Sequence, residues 1–122
     1  MADVSLTGDI GKPLITLHGT LDALLPMKLV SDKYAELVGK AGRSRNHRYY
    51  RIEGGTHVDS LYDHAGFRDR DELRPILPCY RASFEVFEKW VEEGQEPPPN
   101  QLVPKPKALS LRQSALPEVN FC

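Results

Sequence analysis

Asp22 and His57 are the residues of this 122-residue chain whose types and settings point to chemistry. Each occupies a short glycine-bounded loop, Gly19-Thr20-Leu21-Asp22-Ala23-Leu24-Leu25-Pro26 in one case and Gly54-Gly55-Thr56-His57-Val58-Asp59 in the other. An aspartate that accepts the Nδ1 hydrogen of an imidazole fixes its tautomer, so that Nε2 can take a proton from a hydroxyl and return it to a leaving alcohol. That is the acid and base of nucleophilic acyl transfer. The nucleophile is missing. The serines are Ser5, Ser31, Ser44, Ser60, Ser83, Ser110 and Ser114, and none stands in the G-x-S-x-G pattern of a strained nucleophile turn. Cys79 lies on the wrong side of the acid and base in chain order to replace it.

Simpler roles exist for each residue. Asp22 on its own can cap a helix entering at Pro26, and His57 can be a loop histidine held by nearby carbonyls. His57, Asp59, Asp63 and His64 bring two imidazoles and two carboxylates into one stretch, a donor set suited to Zn²⁺. Their spacing, H-x-D-x-x-x-D-H, fits no established ligand pattern, so neither a metal nor any other cofactor is expected. Asp59 and Tyr62 fit better as residues of the pocket wall or support around His57, as do His18 and Thr20 at the mouth of the first loop, where His18 shapes the turn. His47 is expected at the surface.

The elements that must position these loops are legible from apolar spacing. Leu14-Ile15-Thr16-Leu17-His18, stopped by Gly19, reads as a strand buried on both faces. Pro26 suits the first turn of a helix, and Leu29, Val30, Tyr34, Leu37 and Val38 recur at helical spacing until Gly39 and Gly42, predicting about four turns. His47 to Glu53 reads as a second strand halted by Gly54-Gly55. A short helix is expected around 59–64. Tyr80, Phe84, Phe87 and Trp90 predict a last helix over 78–93 whose aromatic stripe packs as core, while the charged run from Arg68 to Arg74 reads as a solvated loop.

Strand, helix and strand form a parallel βαβ unit with a right-handed crossover, so both loops fall side by side at the carboxyl ends of adjacent strands. The fold class is α/β. Residues 1–12 are a polar lead-in, 13–93 the strand–helix–strand–loop–helix body, and 94–122 a Pro-rich polar tail that is either flexible or a strap over a larger body. Two parallel strands leave unpaired edges on both sides, so the sheet calls for completion by another chain or by a missing N-terminal part.

The run Pro13-Leu14-Ile15-Thr16-Leu17-His18-Gly19-Thr20-Leu21-Asp22-Ala23-Leu24-Leu25-Pro26, followed after a helix by a strand ending in Gly54-Gly55-Thr56-His57, resembles the C-terminal part of an α/β-hydrolase. The Asp-Ala-Leu-Leu-Pro continuation, the Arg-Tyr-Tyr-x-Ile strand and the Pro-rich segment look most like the end of 3-hydroxybutyrate oligomer hydrolases and related tannase or feruloyl esterase-like enzymes. The resemblance covers roughly residues 11–104. It implies a partial α/β-hydrolase fold in which Asp22 is the triad acid and His57 the general base. It further implies an ester substrate, and a partner portion carrying the nucleophile, without which the chain is inactive. A module that only completes a partner's sheet is the alternative, with self-association a further possibility for the open edges.

Charge narrows the partners. With 16 Lys+Arg against 17 Asp+Glu, no net field draws the chain to nucleic acid or to an anionic membrane. Its apolar stretches are far shorter than the roughly 20 residues of a membrane-spanning helix, and the opening residues lack the features of a secretory signal. The parent's compartment stays open. Cys79 and Cys122, the 2 cysteines, are read as free thiols, because one of them ends a polar tail.

Overall fold

Leu14–Gly19 forms strand β1 and His47–Ile52 forms strand β2, and the two pair in parallel from Leu14 opposite His47 to Gly19 opposite Ile52. The computed structural model describes residues 5–61, 72–105 and 122. Between the strands runs helix α1, Ser31–Lys40, and after them helix α2, Leu77–Glu93, which carries Pro78 in its first turn and ends at Gly94 in the left-handed region. A third strand, β3, Gln101–Val103, pairs in parallel with the far side of β2, giving the sheet order β1-β2-β3. The small, open parallel sheet with its two helices is the α/β partial fold expected from the alternating pattern. No helix among the described residues is long and apolar enough to cross a membrane.

Strand parity sorts the side chains to the two faces. Tyr49 and Arg51 reach Asp32 of α1, with the Tyr49 hydroxyl donating at 2.9 Å, and His47 meets the edge of the Tyr34 ring. On the other face Tyr50 and Ile52 join Cys79 and Val103 in the buried core, with Ile15 and Leu17 packed against it, and Arg48 lies 5.0 Å over the Trp90 ring. One helix therefore covers each face, as a parallel sheet requires.

Several details depart from the expectations. Regular helix in α1 begins at Ser31 rather than at Pro26, because residues 26–30 form turns in which Leu29 N–H donates to the Pro26 carbonyl and Val30 N–H to that of Met27. His47 is buried, not at the surface. Its Nε2 is 2.9 Å from Thr16 Oγ1 and its ring stacks on Tyr49, while burial first and the Arg48 charge second hold its pKa below the usual histidine range. Tyr80 and Phe84 are not core but stand 60% and 57% exposed, since the sheet ends at β1 and offers them no further strand to cover. Of the charged run, Arg74 is buried rather than solvated, and its guanidinium donates to the carbonyls of Pro104 at 2.9 Å and Cys122 at 3.0 Å; residues 68–71 lie outside the described residues.

The Pro-rich stretch works as a strap over its described length. The Tyr50 hydroxyl donates to the Pro98 carbonyl at 2.6 Å, Arg48 pairs with Glu96 at 2.8 Å, and Asn100 Oδ1 accepts Tyr49 N–H at 2.9 Å, just ahead of β3. The cysteines are also not free: Cys79 and Cys122 are bridged across 43 residues. The physical reason is that the buried Arg74 guanidinium, which also holds the Pro104 carbonyl, donates to the Cys122 carbonyl and holds that residue beside the first turns of α2. In the loop-entropy account a closure of that length stabilises the fold by about 4 kcal/mol.

Candidate active site

The turn out of β1 is drawn onto the turn out of β2 by backbone hydrogen bonds. Thr20 N–H donates to the Ile52 carbonyl at 3.0 Å and Leu21 N–H to that of Gly55 at 2.9 Å, while Gly54 N–H donates to Thr20 Oγ1 at 3.0 Å. A side chain at Gly19 would sit 2.3 Å from the Gly55 carbonyl oxygen, so the approach of the two loops depends on both glycines. Thr20 thus ties the loops together.

This stapling brings Asp22 to His57. Asp22 Oδ2 lies 2.9 Å from His57 Nδ1, and Oδ1 accepts Leu24 N–H at 3.0 Å and Leu25 N–H at 2.8 Å. The aspartate side chain keeps only 6% of its surface exposed, whereas that of His57 keeps 38%. Burial pushes the Asp22 carboxyl up. The Leu25 N–H, the hydrogen bond and charge of His57, and the Leu24 N–H outweigh it and hold the carboxyl below its ordinary value, so it is ionised at neutral pH. An ionised carboxylate only accepts, so His57 carries its hydrogen on Nδ1 and presents Nε2 as the acceptor. Among the described residues His57 Nε2 has no hydrogen-bond partner. The arrangement can remove a proton from a hydroxyl brought to that nitrogen.

His18 is a second imidazole on the same carboxylate. Buried on β1, it places Nε2 at 2.8 Å from the Leu25 carbonyl and 3.2 Å from Asp22 Oδ2, while Nδ1 is 2.5 Å from Ser31 Oγ. Sequence reasoning named His18 but missed Ser31, whose partner lies 13 residues away with no motif linking them. Asp59 is engaged elsewhere: its two carboxylate oxygens accept the N–H groups of Ile76 at 2.7 Å and Leu77 at 2.9 Å, capping α2. Of the short helix expected over 59–64, Asp59–Leu61 forms a single 3₁₀ turn. Tyr62, Asp63 and His64 lie outside the described residues. Asp22 does not cap a helix: Oδ1 holds the Leu24 and Leu25 N–H groups of the loop, and α1 begins only at Ser31.

No family model matches the chain, and no solved structure matches it. It is 28% identical over 93 residues to the D-(-)-3-hydroxybutyrate oligomer hydrolases of Burkholderia mallei (strain SAVP1) and Burkholderia pseudomallei (strain K96243). Those residues are 75% of this chain, but the chain spans only 13% of the length of these relatives. It resembles one stretch of a much larger hydrolase.

Proposed function

We propose that this chain is the C-terminal segment of a serine-dependent carboxylic-ester hydrolase of the α/β-hydrolase type, with Asp22 as the triad acid and His57 as the general base. The observation that carries this reading is the 2.9 Å contact between Asp22 Oδ2 and His57 Nδ1 at the carboxyl ends of adjacent parallel strands, with Nε2 unclaimed among the described residues. His57 Nε2 takes the proton of a serine hydroxyl as that oxygen attacks the ester carbonyl, and the resulting imidazolium returns it to the departing alkoxide. Asp22 stays ionised throughout and stabilises the imidazolium. Water then attacks the carbonyl of the acyl-serine while His57 Nε2 takes its proton, and the imidazolium returns that proton to the serine oxygen as the acid product leaves.

The serine comes from outside these residues. With β2 flanked on both sides, the outer edges of β1 and β3 are left, and the apolar surface beside β1 favours that edge as the one through which it would arrive. An apolar groove of about 210 Å³ runs along that edge between Pro13, Leu14 and Ile15 and the exposed face of α2 at Tyr80, Phe84 and Phe87. The remainder of a hydrolase, for which the small share of its relatives' length that this chain spans leaves ample room, is the occupant this seam suits. Oligomers of 3-hydroxybutyrate, named for the relatives, are the first ester to try.

Alone, the 122-residue chain is expected to turn over no p-nitrophenyl ester and to take no label from a fluorophosphonate. A serine labelled in the isolated chain would overturn the division of the triad between two portions. A sheet-completing module without catalysis is separated by Asp22→Asn, which would leave complex formation and every activity of the complex unchanged under that reading alone.

A further inference from the structure

We propose that His18, held by Ser31, is a positioning residue that fixes the Asp22 carboxylate toward His57. The proposal rests on the catalytic reading of Asp22 and His57 and extends it by two residues. Its basis is the pattern of donors and acceptors. The Leu25 carbonyl can only accept, so the hydrogen that His18 donates to Leu25 O at 2.8 Å resides on Nε2, and the same nitrogen lies 3.2 Å from Asp22 Oδ2. With Nε2 protonated in the neutral ring, Nδ1 is the acceptor and the Ser31 hydroxyl is its donor at 2.5 Å.

The Leu25 peptide closes this network. Its N–H donates to Asp22 Oδ1 and its carbonyl accepts from His18, so the peptide ties the aspartate to the imidazole, and the charge of Oδ2 faces the Nε2 hydrogen at 3.2 Å. Asp22 Oδ2 is then left in one orientation, facing His57. The contacts run from Ser31 at the start of α1, through His18 on β1, to Asp22 in the loop and His57 after β2. All but His57 have side chains buried or nearly so: His18 is 8% exposed, Ser31 9%, and the Asp22 side chain 6%. A buried imidazole is tolerated because both nitrogens are satisfied, and such networks specify geometry more than they add stability.

The test uses ¹⁵N-resolved spectra of the histidine rings in the full 122-residue chain. Wild type should show His57 as the Nδ1–H tautomer and His18 as the Nε2–H tautomer. His18→Leu should scramble the His57 tautomer, and His18→Gln, whose side-chain amide can donate where Nε2–H did, should restore it. In a hybrid carrying the serine portion, His18→Leu should lower kcat by at least tenfold, toward the roughly 100-fold that an ångström of misplacement costs, with KM unchanged. Should His18→Leu unfold the chain, Ser31→Ala and Ser31→Thr carry the same question: the alanine variant should lose the Nε2–H preference of His18 and the threonine variant keep it. A His57 tautomer indifferent to His18→Leu but lost in Asp22→Asn, or a His18 tautomer indifferent to Ser31→Ala, would overturn the positioning role and leave the catalytic pair standing. Hydrolysis by the hybrid that survives His57→Ala would instead overturn the catalytic reading.

Discussion

Asp22 and Asp59 follow neighbouring strands of one sheet, and each accepts two backbone N–H groups, yet they divide their oxygens differently. Asp59 gives one oxygen to Ile76 N–H and the other to Leu77 N–H, and so among the described residues is committed to the start of α2. Asp22 serves Leu24 and Leu25 with Oδ1 alone and keeps Oδ2 for His57 and His18. The lesson is one of valence. A loop carboxylate that spends both oxygens on backbone is a cap, and one that spends a single oxygen is both anchored and available to orient an imidazole.

The sharpest way to break this contrast is to exchange each aspartate for asparagine in a hybrid that supplies the serine. Asp22→Asn should lower kcat on p-nitrophenyl butyrate by about 10⁴-fold, the scale seen when a triad acid loses its charge, whereas Asp59→Asn should change it by less than about tenfold. In urea unfolding of the isolated chain the order should invert for the alanine variants, Asp59→Ala lowering stability by about 1–2 kcal/mol through loss of the cap. Equal kinetic effects of the two asparagine variants would erase the distinction.

A second prediction concerns the close approach that gives Asp22 access to His57. In Gly19→Ala the new methyl meets the Gly55 carbonyl oxygen at 2.3 Å, and the loops must part. The expected cost is about 1–3 kcal/mol in urea unfolding, with loss of the His57 Nδ1–H signal, while Asp59 and α2 stay as they are.

The smallest effect is in acid. The Asp22 carboxyl is held below its unfolded value of 3.8, so its contribution to stability is full above that value and disappears as the pH falls through the lowered folded one. Thermal midpoints measured from pH 6 down to about pH 2.5 should therefore decline less steeply for Asp22→Asn than for wild type. Parallel curves would show that the carboxylate gains nothing from its loop.

The strands and helices were legible because Leu14 to His18, His47 to Glu53 and the aromatic run after Pro78 carry unambiguous periods, and the two glycine loops follow from where those strands stop. What escaped depends on contacts that have no period. β3 hides in a segment whose prolines lack donors, and it forms because Asn100 Oδ1 takes the Tyr49 N–H ahead of the strand. The exposed Tyr80 and Phe84 look like core in any helical count, and only the missing neighbour of β1 leaves them uncovered. Ser31 reads as an ordinary helix residue until His18 is seen to need a donor. The bridge between Cys79 and Cys122 follows from the placement of Cys122 beside Arg74, a contact that has no signal in the spacing.

The most direct test of the divided triad replaces the matching stretch of a Burkholderia 3-hydroxybutyrate oligomer hydrolase with residues 13–104 of this chain and measures p-nitrophenyl butyrate hydrolysis with and without His57→Ala. Activity that vanishes in His57→Ala while the circular dichroism spectrum is unchanged is the predicted result. Hydrolysis that persists without His57 would contradict its assignment as the general base.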